Sequence, residues 1–438
     1  MRSFKASLIL IHIALGILLN KFSFLSTYFA FLIIVLGSYA ILFKKDPLRK
    51  YPLLFISYIV GIEVLLRMTG AKIFWEFGKY ALIYFLILAL LRYQRRINFY
   101  LPILFYFILL LPSIVFIPMD SFSFFRQNLA FNLSGPFALF LCSTYFYNRS
   151  INKQILGEIL FSLILPVLTM AVYNFMTMPN LSTYIFVPYS DISTSGGYGP
   201  NQVSCMFGLG AVSILIGQVL KLELFPYKYL GLIILVIFFG LGLITFSRGG
   251  MLAALISFLI GICYYLFNDQ SKMQLLLKSL GLFGASLIAW FIVLSVTDGV
   301  IQQRYGFSNS VGGDNFVLDL SGRGLIYEID FKIFYDYFFK GVGPGQANNL
   351  RAAYGYSGKV SAHTEYSRML AEHGILGFFS LICFIFSIYF NLNKYDLNYG
   401  KFVKIIFGAL ALLTMAHSAM RIAMPSYLFS FIMFKYSK

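Results

Sequence analysis

The chain has 438 residues; 59% are apolar, 19% aromatic and only 12% charged, and 34 Lys and Arg against 17 Asp and Glu leave a net charge of +17. Charged residues at about half their usual share cannot coat a water-soluble body of this size, so a soluble enzyme is excluded and a polytopic membrane protein is expected. The basic excess does not point to nucleic acid, because the cations form short clusters between apolar runs and no Lys/Arg-rich block occurs.

Crossing roughly 30 Å of hydrocarbon takes about 20 apolar residues, and about fourteen runs approach that length. In chain order they lie near 4–20, 22–43, 51–68, 77–93, 99–118, 128–147, 155–178, 201–220, 227–246, 250–267, 275–297, 369–391, 402–419 and 422–436. The first follows Arg2 and Lys5 with no small-x-small cleavage site and reads as an uncleaved span, while the last is short. The expected fold is all-α, with about 12–14 transmembrane helices in a single integral membrane unit over residues 1–438. One long connection, 298–368, interrupts this pattern; it is rich in glycine and holds an amphipathic stretch from Leu325 to Phe339 suited to a membrane interface. Cys142, Cys205, Cys263 and Cys383 fall in apolar stretches without metal-type spacing, so neither a disulfide framework nor a zinc site is indicated.

Orientation follows from assigning the connections alternately to two sides, since cytoplasmic loops retain Lys and Arg. Roughly 20 of the 34 cations collect on the side that holds both termini, against roughly seven in the opposite short connections. Both termini are therefore expected in the cytoplasm and the 298–368 loop outside it. Two other polar connections share the outer face: 179–200, and the turn Ser247-Arg248-Gly249-Gly250.

Few residues are equipped for chemistry. His363 precedes a helical pattern formed by Tyr366, Met369, Leu370 and Ile375, which places it at a helix N-terminus facing outer water. There the helix dipole favours a neutral imidazole able to accept a proton from a hydroxyl, although a polar cap on a membrane helix explains the same residue. His12 and His417 lie inside spans and are assigned to packing. Arg248 and Arg323 are each flanked by glycine, and their forked, permanently charged guanidinium groups match phosphate oxygens. Glycine beside them lets a ligand approach the backbone; snorkelling at the membrane boundary is the competing explanation. Gly341-Val342-Gly343-Pro344-Gly345-Gln346 lacks the strand before it and the Gly-Lys-Ser/Thr after it that a nucleotide loop needs, so a tight turn is expected. No carboxylate pair or His/Asp/Glu cluster calls for a metal, and the simplest chemistry is metal-independent, without a cofactor.

Three segments together resemble the O-antigen ligase and Wzy-type polymerase family: Thr245-Phe246-Ser247-Arg248-Gly249-Gly250, the Arg323 segment leading to Gly341–Gly345, and His363-Thr364-Glu365-Tyr366 running into Leu370–Gly377. Gly197-Tyr198-Gly199-Pro200-Asn201-Gln202 resembles it too. The resemblance implies a GT-C-like, inverting, metal-independent glycosyltransferase of the bacterial cytoplasmic membrane whose site faces the periplasm or exterior. By that analogy Arg248 and Arg323 hold the diphosphate of an undecaprenyl-diphosphate-linked glycan and His363 serves the acceptor hydroxyl. Glu365, Tyr366, Asn201 and Gln202 are the candidate supporting residues. The acceptor is lipid A-core for a ligase, a lipid-linked glycan for a polymerase, or a protein hydroxyl for an O-oligosaccharyltransferase. An Arg-x10-Gly spacing linked to polymerases occurs at Arg67 and Gly78 and is expected by chance. A flippase or transporter would place ionisable residues mid-span near broken helices, whereas here they gather at one face.

Overall fold

The computed structural model describes residues 2–93, 98–268, 272–305, 323–356, 364–394 and 396–437, with the main chain alone for 272–280 and 323. The helices are α1 (Arg2–Lys21), α2 (Leu25–Phe43), α3 (Tyr51–Met68), α4 (Phe77–Tyr93), α5 (Leu101–Ile108), α6 (Phe122–Phe146), α7 (Lys153–Thr177), α8 (Pro200–Val219) and α9 (Leu230–Ile244). They continue as α10 (Arg248–Asn268), α11 (Lys272–Val296), α12 (Val300–Tyr305), α13 (Arg323–Asp336), α14 (Ala347–Leu350), α15 (Glu365–Asn393), α16 (Asn398–Ser418) and α17 (Met424–Phe429). Among the described residues, nine helices are long and apolar enough to cross a bilayer: α1, α2, α3, α6, α7, α8, α10, α15 and α16. Shorter apolar helical stretches cover 101–116, 230–244, 281–296 and 424–433. Each of the fourteen runs read from the sequence falls on helix, and the third and fourth coincide with α3 and α4. The chain is an all-α polytopic membrane protein. Its described strands are a two-residue parallel pair, β1 (Ser150–Ile151) with β2 (Lys435–Tyr436).

Local chemistry explains where several helices begin. Proline occupies the first turn of α3, α5, α8 and α17, where its missing N–H leaves no intrahelical bond unmade. Ser121 accepts from Phe124 N (3.2 Å) to cap α6, and Asn152 accepts from Ile155 N (2.9 Å) to cap α7.

Contacts define two ends of the bundle. At one end Lys50 pairs with Glu158 at 2.7 Å, Asn398 donates to Asn268 O at 2.9 Å, and Ser150 pairs with Lys435. At the other, Asn201 meets Ser247, Asn132 meets Arg368, and Ser113 meets His373; the described parts of the long connection are here too. Lys50 and Lys435, two of the cations that the charge rule assigned to one side, lie at the first end, and the second is called the loop end below.

In hydrocarbon there is little hydrophobic force between helices, so association rests on close packing. Gly208 of α8 faces the backbone of Gly250 and the side chain of Ala254 on α10, and Gly61 of α3 faces Leu163 and Pro166 of α7. The short last helix, which by length alone is the weakest span, is the most enclosed. Every residue from Met424 to Met433 is buried, and its aromatics stack with neighbours, Phe429 on Phe384 at 4.3 Å between centroids. Just beyond it, Phe434 stacks on Phe146 at 4.4 Å. Helices α1 and α2 are peripheral, with many lipid-facing side chains such as Phe31, Val35 and Tyr39.

Helix α13 spans most of the expected amphipathic stretch. It buries Ile326, Ile329 and Ile333 and exposes Phe331 and Tyr335.

Candidate functional site

The loop end is built around two helix starts that face each other. Helix α9 stops at Ile244, and the chain turns through Thr245 and Phe246, the latter at φ 53°, before α10 starts at Arg248. Ser247 Oγ donates to Asn201 Oδ1 at 2.7 Å, and Ser204 Oγ donates to Ser247 Oγ at 3.0 Å, stitching the start of α10 to the start of α8. Two N-terminal helix ends, each carrying partial positive charge, therefore converge beside Arg248. From the short α12, Arg304 Nε donates to Phe246 O at 3.0 Å and Tyr305 OH donates to Ser247 O at 3.4 Å, holding the turn from above.

The glycines next to Arg248 have neighbours other than a ligand. A Cβ on Gly249 would sit 2.5 Å from His417 Nδ1, and one on Gly250 would strike the Ser204–Cys205 backbone. These positions admit α16 and α8, so close helix packing accounts for both glycines. His417 is buried as expected, with Nε2 3.8 Å from Cys205 Sγ.

A second cluster surrounds a helix break. Helix α16 ends at Ser418, Ala419 adopts φ 51°, ψ −165°, and α17 starts at Met424. A non-glycine residue in that region is strained and persists only when its surroundings hold it. Here charged side chains from three helices grip the backbone of the break. Met420 N donates to Glu365 Oε2 at 3.2 Å, and Ala423 N donates to Glu63 Oε2 at 2.7 Å. Arg67 donates through both terminal nitrogens to Arg421 O at 3.3 Å, and Lys79 Nζ donates to Met420 O at 3.3 Å. Backbone groups freed inside a membrane protein must find partners, and these four side chains supply them. The grips are paired among themselves: Arg67 with Glu63 at 2.7 Å, Lys79 with Glu76, and Arg368 with Glu365 and with Glu372 at 2.8 Å. Arg421 projects from the break into a small cavity also lined by Asn132, Asn348, Glu365 and Arg368.

The two clusters are joined through Gln202, whose Oε1 accepts from Arg67 at 3.2 Å and from Tyr198 OH at 3.0 Å. Burial raises the phenol pKa of Tyr198, in the connection before α8, which keeps it a donor. The spacing between Arg67 and Gly78 acquires a structural reason, since Arg67 pairs with Glu63 and a Cβ on Gly78 would collide with the same carboxylate.

The Gly341–Gly345 segment forms a tight turn, as its sequence suggested. Gly341, Gly343 and Gly345 all have positive φ, and Val342 N and Gly343 N donate to Ala371 O and Glu372 O at 3.1 and 2.9 Å. Those carbonyls are available because α15 kinks at Gly374 (φ 59°), where Ile375 N turns to Phe338 O at 2.7 Å. Asp330 of α13 receives Arg351 at 2.7 Å and Ser367 Oγ at 2.6 Å, tying the long connection to the start of α15. Burial raises the Asp330 pKa, and Arg351 opposes that rise.

Of the expected site residues, Arg248, Asn201, Gln202 and Glu365 all lie in this loop-end layer. Tyr366 turns away, its hydroxyl donating to Leu412 O at 2.9 Å. Arg323 is the first residue of α13, with no description of its side chain, and His363 lies outside the described residues. Sequence reasoning missed Arg67, Arg368 and Arg421. Two of them carried a signal: Glu63 and Arg67 are one helical turn apart, and Glu365, Arg368 and Glu372 form an i, i+3, i+7 stripe on one helix face. Arg421 gave none beyond a lone cation between two apolar runs.

These features define a multi-pass membrane protein with a guanidinium-rich layer at one end of its bundle. Residues 230–382, from the first residue of α9 past the kink of α15, match the model of the O-antigen ligase family. A comparison with curated proteins gives no match.

Proposed function

We propose that the protein is an O-antigen ligase-like glycosyltransferase of the bacterial cytoplasmic membrane, moving a glycan from undecaprenyl diphosphate to an acceptor hydroxyl of lipid A-core at the extracytoplasmic face. The observation that carries this reading is the convergence of the α8 and α10 N-termini beside Arg248, inside the stretch that matches the family. Helix starts and guanidinium groups together suit an anionic diphosphate leaving group. Arg248 and Arg323 bind its oxygens, and the positive charge stabilises the negative charge that builds as the glycosidic C–O bond breaks. His363 accepts the proton of the acceptor hydroxyl, whose oxygen attacks the anomeric carbon from the opposite side and inverts it. The fixed cations make a metal unnecessary for neutralising the leaving group.

Deleting the gene, complementing with wild type or His363→Ala, and sizing surface and undecaprenyl-linked glycans side by side tests this. Long glycan stranded on undecaprenyl diphosphate supports ligation. Single repeat units already on the final acceptor identify a polymerase instead, and lipid-linked glycan retained on the cytoplasmic leaflet identifies a flippase.

A further inference from the structure

A groove of about 440 Å³ lies between α2, α3 and α7, at the end of the bundle opposite the loop end. Its floor is the seam of α3 and α7, where Ser162 Oγ donates to Leu54 O at 2.7 Å. Its wall is the last part of α2, where Leu36 and Tyr39 are exposed, so the groove opens sideways toward lipid. Tyr58 closes the deep end: its hydroxyl donates to His12 Nε2 of α1 at 3.0 Å, while His12 Nδ1 is engaged with Leu8 O at 2.7 Å. From Tyr51 to Tyr58 the groove follows α3 for about 10 Å, inside the roughly 15 Å depth of one leaflet. It therefore admits a chain from the leaflet at that end and stops well short of the loop-end layer.

The mouth of the groove is cationic. Lys44 lines it and sits over the Tyr51 ring, its Nζ 5.6 Å from the centroid. Lys45 and Arg49 belong to the same short connection, whose turn is closed by Arg49 N donating to Asp46 O at 3.0 Å. All three cations are exposed and none forms an ion pair with a described residue, whereas Lys50 beside them pairs with Glu158. Asp46 is turned to the start of α3, its Oδ2 accepting from Tyr51 N at 2.8 Å. Snorkelling explains cations at a membrane boundary, but it needs no cavity beneath them. Cations over an apolar groove between helices match a lipid whose headgroup is anionic.

We propose that this groove is a binding site for an anionic phospholipid, with one acyl chain along α3 and the phosphate at Lys44, supported by the charges of Lys45 and Arg49. The site is independent of the donor reading, since it lies at the other end of the bundle. Its occupant fastens the peripheral α2 to the α3–α7 seam by filling the space between them.

The test uses the full-length protein in phosphatidylcholine nanodiscs containing a trace of phosphatidylglycerol with a photoreactive acyl chain. Crosslinks are expected within 36–40 and 51–58 and at Ser162. They should fade when unlabelled phosphatidylglycerol replaces part of the phosphatidylcholine, and persist when phosphatidylethanolamine does. The double variant Lys44→Gln/Arg49→Gln should lower this labelling about tenfold, or about 1.4 kcal/mol, and Ala40→Phe, which puts a ring into the groove, should lower it as well. Lys221→Gln/Lys228→Gln, in the connection between α8 and α9, should leave it unchanged. Labelling spread evenly over lipid-facing helices, fading equally with phosphatidylethanolamine, or undiminished in the Lys44→Gln/Arg49→Gln variant overturns the site. The wild-type crosslink map and the charge variant leave the core untouched, so a folding defect in Ala40→Phe does not mask the result.

Discussion

Replacing Glu63 and Arg67 by Met, singly and together, tests whether the break between α16 and α17 is held by charge. The two side chains pair at 2.7 Å and are nearly inaccessible, at 2% and 7% exposure. Removing one partner leaves a buried charge unmatched, which costs about 3–5 kcal/mol. A pair that served only itself could be exchanged for two Met residues with little loss, because burying two charges costs about as much as their attraction returns. Here the exchange also strips Ala423 N and Arg421 O of their partners. Each orphaned backbone group costs about 1–3 kcal/mol, toward the lower figure inside a membrane protein. The double variant should therefore be about 2–4 kcal/mol less stable than wild type, and less impaired than the sum of the single variants, with a coupling of about 2 kcal/mol or more. Reversible unfolding of the four proteins by steric trapping in bicelles reads both quantities. A double variant as stable as wild type would refute the idea that these side chains hold the break.

Four other outcomes follow from the same structure and reading. Arg248→Lys and Arg323→Lys should raise the KM for the lipid-linked donor about tenfold, since Lys keeps the charge and loses the fork; superimposable donor saturation curves would dispose of the diphosphate role. His363→Ala should insert normally and abolish transfer, and a purified variant with wild-type activity would remove His363 from the chemistry. Gly250→Val should destabilise the protein by about 1–3 kcal/mol by forcing α10 away from the Ser204–Cys205 backbone, visible as a lowered Tm in detergent; an unchanged Tm would mean that the helices separate freely there. Transfer should proceed undiminished in EDTA, whereas loss restored by a divalent cation would show a metal requirement.

What sequence alone determined is what the bilayer imposes residue by residue. A span must be apolar over a set length and close its own backbone hydrogen bonds, so α3 and α4 were legible to their end residues. Helix α13 and the Gly341 turn were legible for a similar reason, since amphipathic periodicity and glycine spacing are local signals. Tertiary structure decided what depends on distant partners. Nothing near Arg421 announces that Arg67, 354 positions away, holds its carbonyl, or that Glu63, 360 positions from Ala423, holds the next turn. Gly249 and Gly250 read as room for a ligand and prove to be room for His417 and α8, while Gly284 faces an empty slot. A glycine records only that a side chain is missing; which atoms use the space is settled by helices that meet only after the whole chain has packed. The same reason makes the short last helix the most enclosed, because its stability comes from the surrounding helices and not from its own length.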